Sequence, residues 1–330
     1  MNIFSKYVPL IDRELKKIPF DCDPASLYEP CRYILKNGGK RIRPLLTLLG
    51  AGICGRDEAV RKAVRAALAV ELIHNFTLVH DDIMDEADSR RGKPSVHSKW
   101  GIPTAILVGD LLHTEAFQQL NLYGSDTTVS REQFSALYQT LLDSIKTVCE
   151  GQALDMEFEG SNDVHTGLYL KMIEGKTSAL LSGSLSMGGI VGAGSDEQID
   201  YLRQVGKQMG LAFQIQDDLL DVVADPEKFG KVKGGDIREG KKTYLLLLAF
   251  ELSNEIQKKE LHRLSQQNYL TDTDVERVID IYEQTGTIRK TEEKVSAYYQ
   301  NVLDLMNSFE DSTFKTDLVS LLNFLKNRDY

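Results

Sequence analysis

The sequence predicts an all-α fold, one helical domain over residues 1–330 whose long helices enclose a central cavity. Three observations predict it. Apolar residues recur at spacings of three and four almost everywhere, no credible run alternates as a half-buried strand would, and no low-complexity linker or composition shift divides the chain. In chain order, helices are expected over 2–18 and 25–36, with Gly38-Gly39 breaking the second. A third, 43–54, opens with Pro44 in its first turn. Residues 57–87 read as one long helix, its apolar stripe made of Val60, Val64, Leu68, Leu72, Phe76 and Val79. Gly92-Lys93-Pro94 separates it from 102–122, which ends at Gly124-Ser125. Helical text continues over 131–158, 166–190 and 196–224, the last closed by Asp225-Pro226. After Gly234-Gly235 come 242–265, 272–285, 287–308 and 312–327.

Apolar content of 42% and charged content of 27% are those of an ordinary soluble globular protein. A net charge of −10 argues against general nucleic-acid binding. A polyanion would need locally concentrated Lys and Arg, or metal ions, and the sequence offers both. Cys22, Cys31, Cys54 and Cys149 show neither CxxC nor dense spacing, so free thiols in a reducing cytoplasm are expected rather than a zinc site or disulfides. The opening MNIFSKYVPLIDRELKK carries charge throughout and no apolar signal core. The longest weakly polar run, 180–194, is too short and too rich in Gly and Ser to span a bilayer, so no stable membrane insertion is expected.

The chain writes Asp-Asp-x-x-Asp twice. Asp81, Asp82 and Asp85 are trailed by Arg90 and Arg91; Asp217, Asp218 and Asp221 are trailed by Lys231, Lys233, Arg238, Lys241 and Lys242. With 27 Asp in 330 residues, chance yields about 0.2 such clusters. Asp is a poor residue for a helix interior, yet both copies interrupt helical text. On a helix the outer two Asp of each cluster share a face, about 6 Å apart along the axis. Carboxylates so placed repel unless a cation sits between them. Magnesium suits, because it takes one or two carboxylates and completes its shell with water and substrate phosphates. Two such faces would hold several ions around one diphosphate. A pair of solvated acidic helix ends is the bland alternative, and the basic followers count against it.

His74 lies two helical turns before Asp81 and Phe76 lies five residues before Asp81, so the long helix presents a carboxylate pair with an aromatic ring about 7 Å deeper. A polar mouth above an apolar shaft suits an anionic head on a hydrocarbon tail. Gly39, Lys40, Arg41, Ile42, Arg43 and Pro44 bring three cations to a glycine turn at a helix start, suiting a second phosphate that needs no metal. Lys176-Thr177, Gln214 and Lys231 add donors. Taken singly, His74 and Phe76 also fit core packing, and the basic turn a solvated face. His80-Asp81 lacks the further histidines of a metal phosphohydrolase. Residues 235–241 nearly spell a P-loop, but Lys242 stands where Ser or Thr is required. Asn75-Phe76-Thr77 is only a formal glycosylation sequon.

Together, GGKRIRP (38–44), HNFTLVHDDIMDEADSRRGKPSVH (74–97), Gly175-Lys176-Thr177, FQIQDDLLDVV (213–223) and FGKVKGGDIREGKKT (229–243) resemble the trans-type isoprenyl diphosphate synthases, in order and spacing. The resemblance spans about 38–245 and implies the isoprenoid synthase fold and a magnesium-dependent head-to-tail prenyl transfer. It implies about three Mg2+ per site, with Asp81, Asp85 and Asp217 as direct ligands and all six motif aspartates, Lys176 and Lys231 as the catalytic set. Arg90, Lys176, Thr177, Gln214, Lys231 and Lys241 match positions that contact the allylic diphosphate (dimethylallyl, geranyl or farnesyl). Lys40, Arg43, His74 and Arg91 match those that hold isopentenyl diphosphate. Ionising the allylic C–O bond puts negative charge on the departing diphosphate, where metals and fixed cations stabilise it. The cation must then meet the isopentenyl double bond before water does. No protein general base is evident, and the departing diphosphate is the acceptor the resemblance suggests. A cytoplasmic homodimer is the family expectation. The family usually has a Leu-Pro pair after EGK where this chain has Tyr244-Leu245, and the weakly basic tail is assigned no substrate role.

In this family the residues before the first cluster form a floor under the growing tail. Phe76 with Thr77 beside it, and no insertion in DDIMD, resemble the geranylgeranyl type, so a twenty-carbon main product is expected. The alternatives are a farnesyl or longer-chain synthase, a class I terpene cyclase, and a non-catalytic synthase subunit. A cyclase needs no second diphosphate pocket, and a non-catalytic partner would be expected to have lost aspartates from one cluster.

Overall fold

Helix is the repeating element of the computed structural model, which describes residues 3–161, 163–224, 233–267 and 269–327. The chain runs through α1 (Ile3–Leu15), α2 (Ala25–Lys36), α3 (Ile42–Lys62), α4 (Val64–Met84), α5 (Val96–Trp100), α6 (Ile102–Asn121) and α7 (Arg131–Gly160). It continues through α8 (Thr166–Ile173), α9 (Ala179–Val191), α10 (Asp196–Val223), α11 (Gly235–Arg238), α12 (Tyr244–Leu252), α13 (Glu255–Ser265), α14 (Asp272–Gln284), α15 (Thr287–Met306) and α16 (Thr313–Lys326). Among the described residues the only strands are β1 (Ser89–Arg90) and β2 (Lys93–Pro94), paired antiparallel. The all-α expectation holds.

The differences have local causes. The expected helix 57–87 is two pieces. Residues 57–62 belong to α3, beyond a kink at Arg56 (φ 62°, ψ −157°), and Ala63 separates them from α4, which stops at Met84. The expected 242–265 is broken at Ser253-Asn254, because the Asn254 side chain accepts from Ile256 and Gln257 N–H and Gln257 answers in a capping box. Within 166–190 the helix widens into a π turn, Glu174–Ser178.

The residues form two compact units. The first comprises Met1–Ile145, Leu180–Arg203 and Phe309–Leu318; the second, Lys146–Ala179, Gln204–Ser308 and Val319–Tyr330. In the first, α4 packs against α3 and α6 through fully buried Leu72, Ile73, Val79, Val108 and Leu112. α6 runs antiparallel to α4: Gly109 lies against His80 near one end, and at the other the Tyr123 hydroxyl accepts from the Ala66 N–H. The Gly- and Ser-rich α9 is a buried helix of this unit. A Cβ on Gly50 of α3 would come within 2.6 Å of the Leu185 carbonyl, so the small residues serve close helix approach. No helix among the described residues is long and apolar enough to cross a membrane. The second unit is built on a core that includes Leu219, Val222, Leu245, Ile281 and Tyr282. All four cysteines are free thiols.

Candidate active site

In the first unit the acidic cluster sits where α4 ends. The Asp85 N–H still donates to the Asp81 carbonyl (2.9 Å), so these two residues follow one another by a turn. Asp81 is 21% exposed and Asp85 exposed. Asp82 points the other way. It is fully buried, and Nε and Nη2 of Arg90 both reach its Oδ1 at 2.6 Å, with Asp81 Oδ2 at 3.7 Å. The motif therefore divides its labour: the outer carboxylates face outward and the middle one holds an arginine.

Arg90 and Arg91 ride on the β1–β2 hairpin. Arg91 (φ 54°) and Gly92 (φ 71°) are both left-handed, as a two-residue type I′ turn requires. The Arg91 guanidinium donates to the Gly38 carbonyl and lies so close to Gly39 that a Cβ there would meet Nη1 at 2.8 Å. Glycine at 39 is favoured by its φ of 145°, a conformation that L side chains rarely adopt. From the same turn Arg41 goes inward, to Asp12 Oδ1 (3.1 Å), the Leu35 carbonyl (2.9 Å) and the buried Glu71. Arg43 goes to His74, Nη1 to Nε2 at 3.1 Å. Since guanidinium only donates, His74 Nε2 accepts, and the imidazole is neutral. Burial and then the charges of Arg43, Arg91, Arg90 and Arg41 hold its pKa well below the usual histidine range. Burial likewise lowers Arg43 to about 10, and its Nε is buried without a partner. The structure thus gathers Arg43, His74 and Arg91 from three segments, with exposed Lys40 on the same turn. This is a concentration of positive charge against which Glu71 is the buried acid.

Phe76 lies in a column of rings. His80 stands edge-on to it at 4.9 Å and His113 of α6 at 5.2 Å; Phe117 follows at 5.0 Å from His113, and Tyr138 of α7 at 5.7 Å from Phe117. Because α6 is antiparallel to α4, the column leads away from the aspartates. Half-buried Thr77 donates to the His74 carbonyl (2.9 Å). The sequon residue Asn75 is buried, donating to Glu71.

In the second unit Asp217, Asp218 and Asp221 end α10. Asp217 is half-buried. Asp218 is buried and accepts from the Tyr169 hydroxyl (2.5 Å), the Tyr244 N–H (3.0 Å) and Gln214 Nε2 (3.3 Å). Burial pushes its carboxyl up to about 7, and the Tyr169 and Tyr244 bonds pull against that rise. Gln214 in turn accepts from the Thr177 hydroxyl (3.1 Å), so one chain of bonds links the π turn to the aspartates. Asp221 accepts from the Asp236 N–H (3.0 Å) at the start of α11. The π turn is held at Gly175, where a Cβ would meet Gly151 Cα of α7 at 2.8 Å. One turn along α7, Asp155 meets Lys176 Nζ at 2.6 Å. Such widened turns concentrate at functional positions. Lys241 lies 3.7 Å from Asp236; burial lowers its pKa, but Asp236, Asp218 and Asp155 outweigh that and raise it. Lys242 donates to the Phe158 and Ser161 carbonyls and so closes the end of α7. Lys231 lies outside the described residues.

Among the described residues no group of three or more His, Cys, Asp or Glu is placed to bind a metal unaided. Magnesium needs only one or two carboxylates, with phosphate and water completing its shell. The outer aspartates Asp81, Asp85 and Asp217 are all-oxygen donors of this kind. Reading the sequence missed Asp155, Asp236, Tyr169, His113 and Phe117, whose partners lie far along the chain with no local pattern to mark them.

The sequence model of the family described as Polyprenyl synthetase matches residues 24–282. The short chain isoprenyl diphosphate synthase of Methanothermobacter thermautotrophicus is 36% identical over 330 residues, covering 100% of this chain and 99% of that protein. The geranylgeranyl pyrophosphate synthase of Geoglobus acetivorans is 37% identical over 330 residues, with coverage of 100% and 99%. The crystal structure of geranylgeranyl pyrophosphate synthetase from Pyrococcus horikoshii matches with a TM-score of 0.91 at 37% identity, covering 99% of this chain and 98% of that one. An intact pair of aspartate motifs, the cation set at the glycine turn and likeness over the full length agree: the chain belongs to the polyprenyl synthetase family, the trans-isoprenyl diphosphate synthases.

Proposed function

We propose that residues 1–330 act as one prenyltransferase domain that condenses isopentenyl diphosphate with an allylic diphosphate, head to tail and trans, to give mainly geranylgeranyl diphosphate. The observation that carries the proposal is the Arg43–His74–Arg91 set beside Lys40, a cation cluster that could take a diphosphate without a metal. A class I terpene cyclase has no use for it. In this reading Lys40, Arg43, His74 and Arg91 bind isopentenyl diphosphate, with neutral His74 lending its ring without adding charge. Arg90, Lys176, Thr177, Gln214, Lys231 and Lys241 bind and orient the allylic diphosphate. Magnesium, held by Asp81, Asp85 and Asp217, would supply the positive charge that stabilises the departing diphosphate. Asp82 and Asp218 serve from within, holding Arg90 and Gln214. Phe76 and Thr77 set the tail length, consistent with relatives named for the geranylgeranyl product.

A cytoplasmic homodimer is part of the proposal; Ile102, Ile106 and Leu107 leave an exposed apolar stripe along α6 that a second copy would cover. Incubating the pure chain with magnesium, labelled isopentenyl diphosphate and dimethylallyl, geranyl or farnesyl diphosphate in turn, then separating products, tests the function. No consumption of isopentenyl diphosphate with any primer would overturn it. A fifteen-carbon or a longer main product would replace only the product assignment.

A further inference from the structure

The hairpin that carries Arg91 has two residue pairs, too few to hold its own shape in water. Arg91 also sits in the left-handed region, where a non-glycine residue needs outside support. That support comes from the surface of α2. The Tyr33 hydroxyl donates to the Pro94 carbonyl (2.9 Å), and Lys93 Nζ donates to Asn37 Oδ1 (3.0 Å). The Tyr33 ring stands edge-on to Trp100 of α5 at 4.9 Å, and the Lys99 ammonium lies 4.4 Å from one ring centre and 4.1 Å from the other. Asn37 is also the cap of α2, directly before the turn that carries Lys40 and leads to Arg43.

We propose that Tyr33, Asn37 and Lys93 form a clasp fixing Arg91 relative to Lys40 and Arg43, and that the clasp sets affinity for the isopentenyl diphosphate without touching it. These are positioning residues. The inference rests on the function proposed above, with those cations as the non-allylic diphosphate site. The Arg91 bond to Gly38 uses a donor that an arriving diphosphate competes for. The clasp bonds lie on the other strand and persist when the site fills. Loosening the hairpin therefore lets Arg91 drift by the fraction of an ångström that weakens a charge-assisted bond, while Arg90, on the same hairpin, stays tied to the first aspartate cluster by its own two bonds to buried Asp82.

Tyr33→Phe, Asn37→Ala and Lys93→Met in the full chain test this, with Asn37→Asp as the rescue because it keeps an acceptor for Lys93. Each surface bond removed is expected to raise KM for isopentenyl diphosphate about threefold to tenfold. KM for the allylic substrate, kcat and the magnesium dependence should stay within about twofold of wild type, and Asn37→Asp should restore the low KM. A merely structural role would lower Tm and move both KM values together; that result, or unchanged KM in folded Lys93→Met, overturns the clasp. Failure of the wild type to consume isopentenyl diphosphate would instead overturn the underlying function.

Discussion

Replacing Phe76 by alanine should lengthen the product by one five-carbon unit, and the ring column gives the size of the step. From Phe76 the next ring, His113, stands 5.2 Å on, and Phe117 another 5.0 Å beyond it. An isoprene unit is a chain of four C–C bonds of about 1.5 Å, advancing roughly 5 Å when extended. Each ring removed in order thus opens room for about one unit. Phe76→Ala should shift the main product from twenty to twenty-five carbons, and Phe76→Ala with His113→Ala to thirty. His113→Ala alone should leave twenty carbons, because Phe76 still stands in front. Phe76 is only half-buried, so its truncation should cost about 1–3 kcal/mol, less than for a fully buried ring, and the variant should fold. Chromatography of dephosphorylated products labelled from isopentenyl diphosphate reads the lengths, with circular dichroism as the fold control. An unchanged profile in Phe76→Ala, or lengthening by His113→Ala alone, would refute the column as the floor.

Asp81→Asn should reduce turnover by at least about 100-fold with Tm unchanged, since the residue faces outward; near-wild-type steady-state kinetics would remove it from the proposed metal set. Arg90→Gln leaves Asp82 buried with one oxygen already unpartnered. It should cost about 2–3 kcal/mol in denaturant melts, below the figure for a fully buried pair because Arg90 is 28% exposed, and adding Asp82→Asn should recover most of that; no recovery would deny the pairing. His74 is held neutral in the fold, whereas an unfolded histidine titrates near 6.5. Below that pH the unfolded chain takes up a proton the folded chain does not, so stability should fall by about 1.2 kcal/mol from about pH 7 to about pH 5.5. His74→Gln should remove that part of the slope, and identical slopes in pH-dependent unfolding would contradict the assignment.

Some of this was written in linear order. Apolar spacing marked the helices, and the paired aspartates with their basic followers marked where phosphate chemistry would sit, because a helix repeats every 3.6 residues and makes neighbours of residues four apart. The glycine turn and Arg43 were equally legible. Boundaries set by side-chain caps and kinks were not: Asn254 splits a helix through one capping box, and Arg56 bends another through its own non-helical φ and ψ. Nor could residue types tell the middle aspartate from its neighbours. Asp82 and Asp218 turn inward because Arg90 and Tyr169 meet them there, 8 and 49 residues away along the chain. The ring column, the Lys176–Asp155 pair and the Tyr33 clasp share that origin. Each joins elements whose proximity exists only once the helices have packed, so tertiary structure alone decided them.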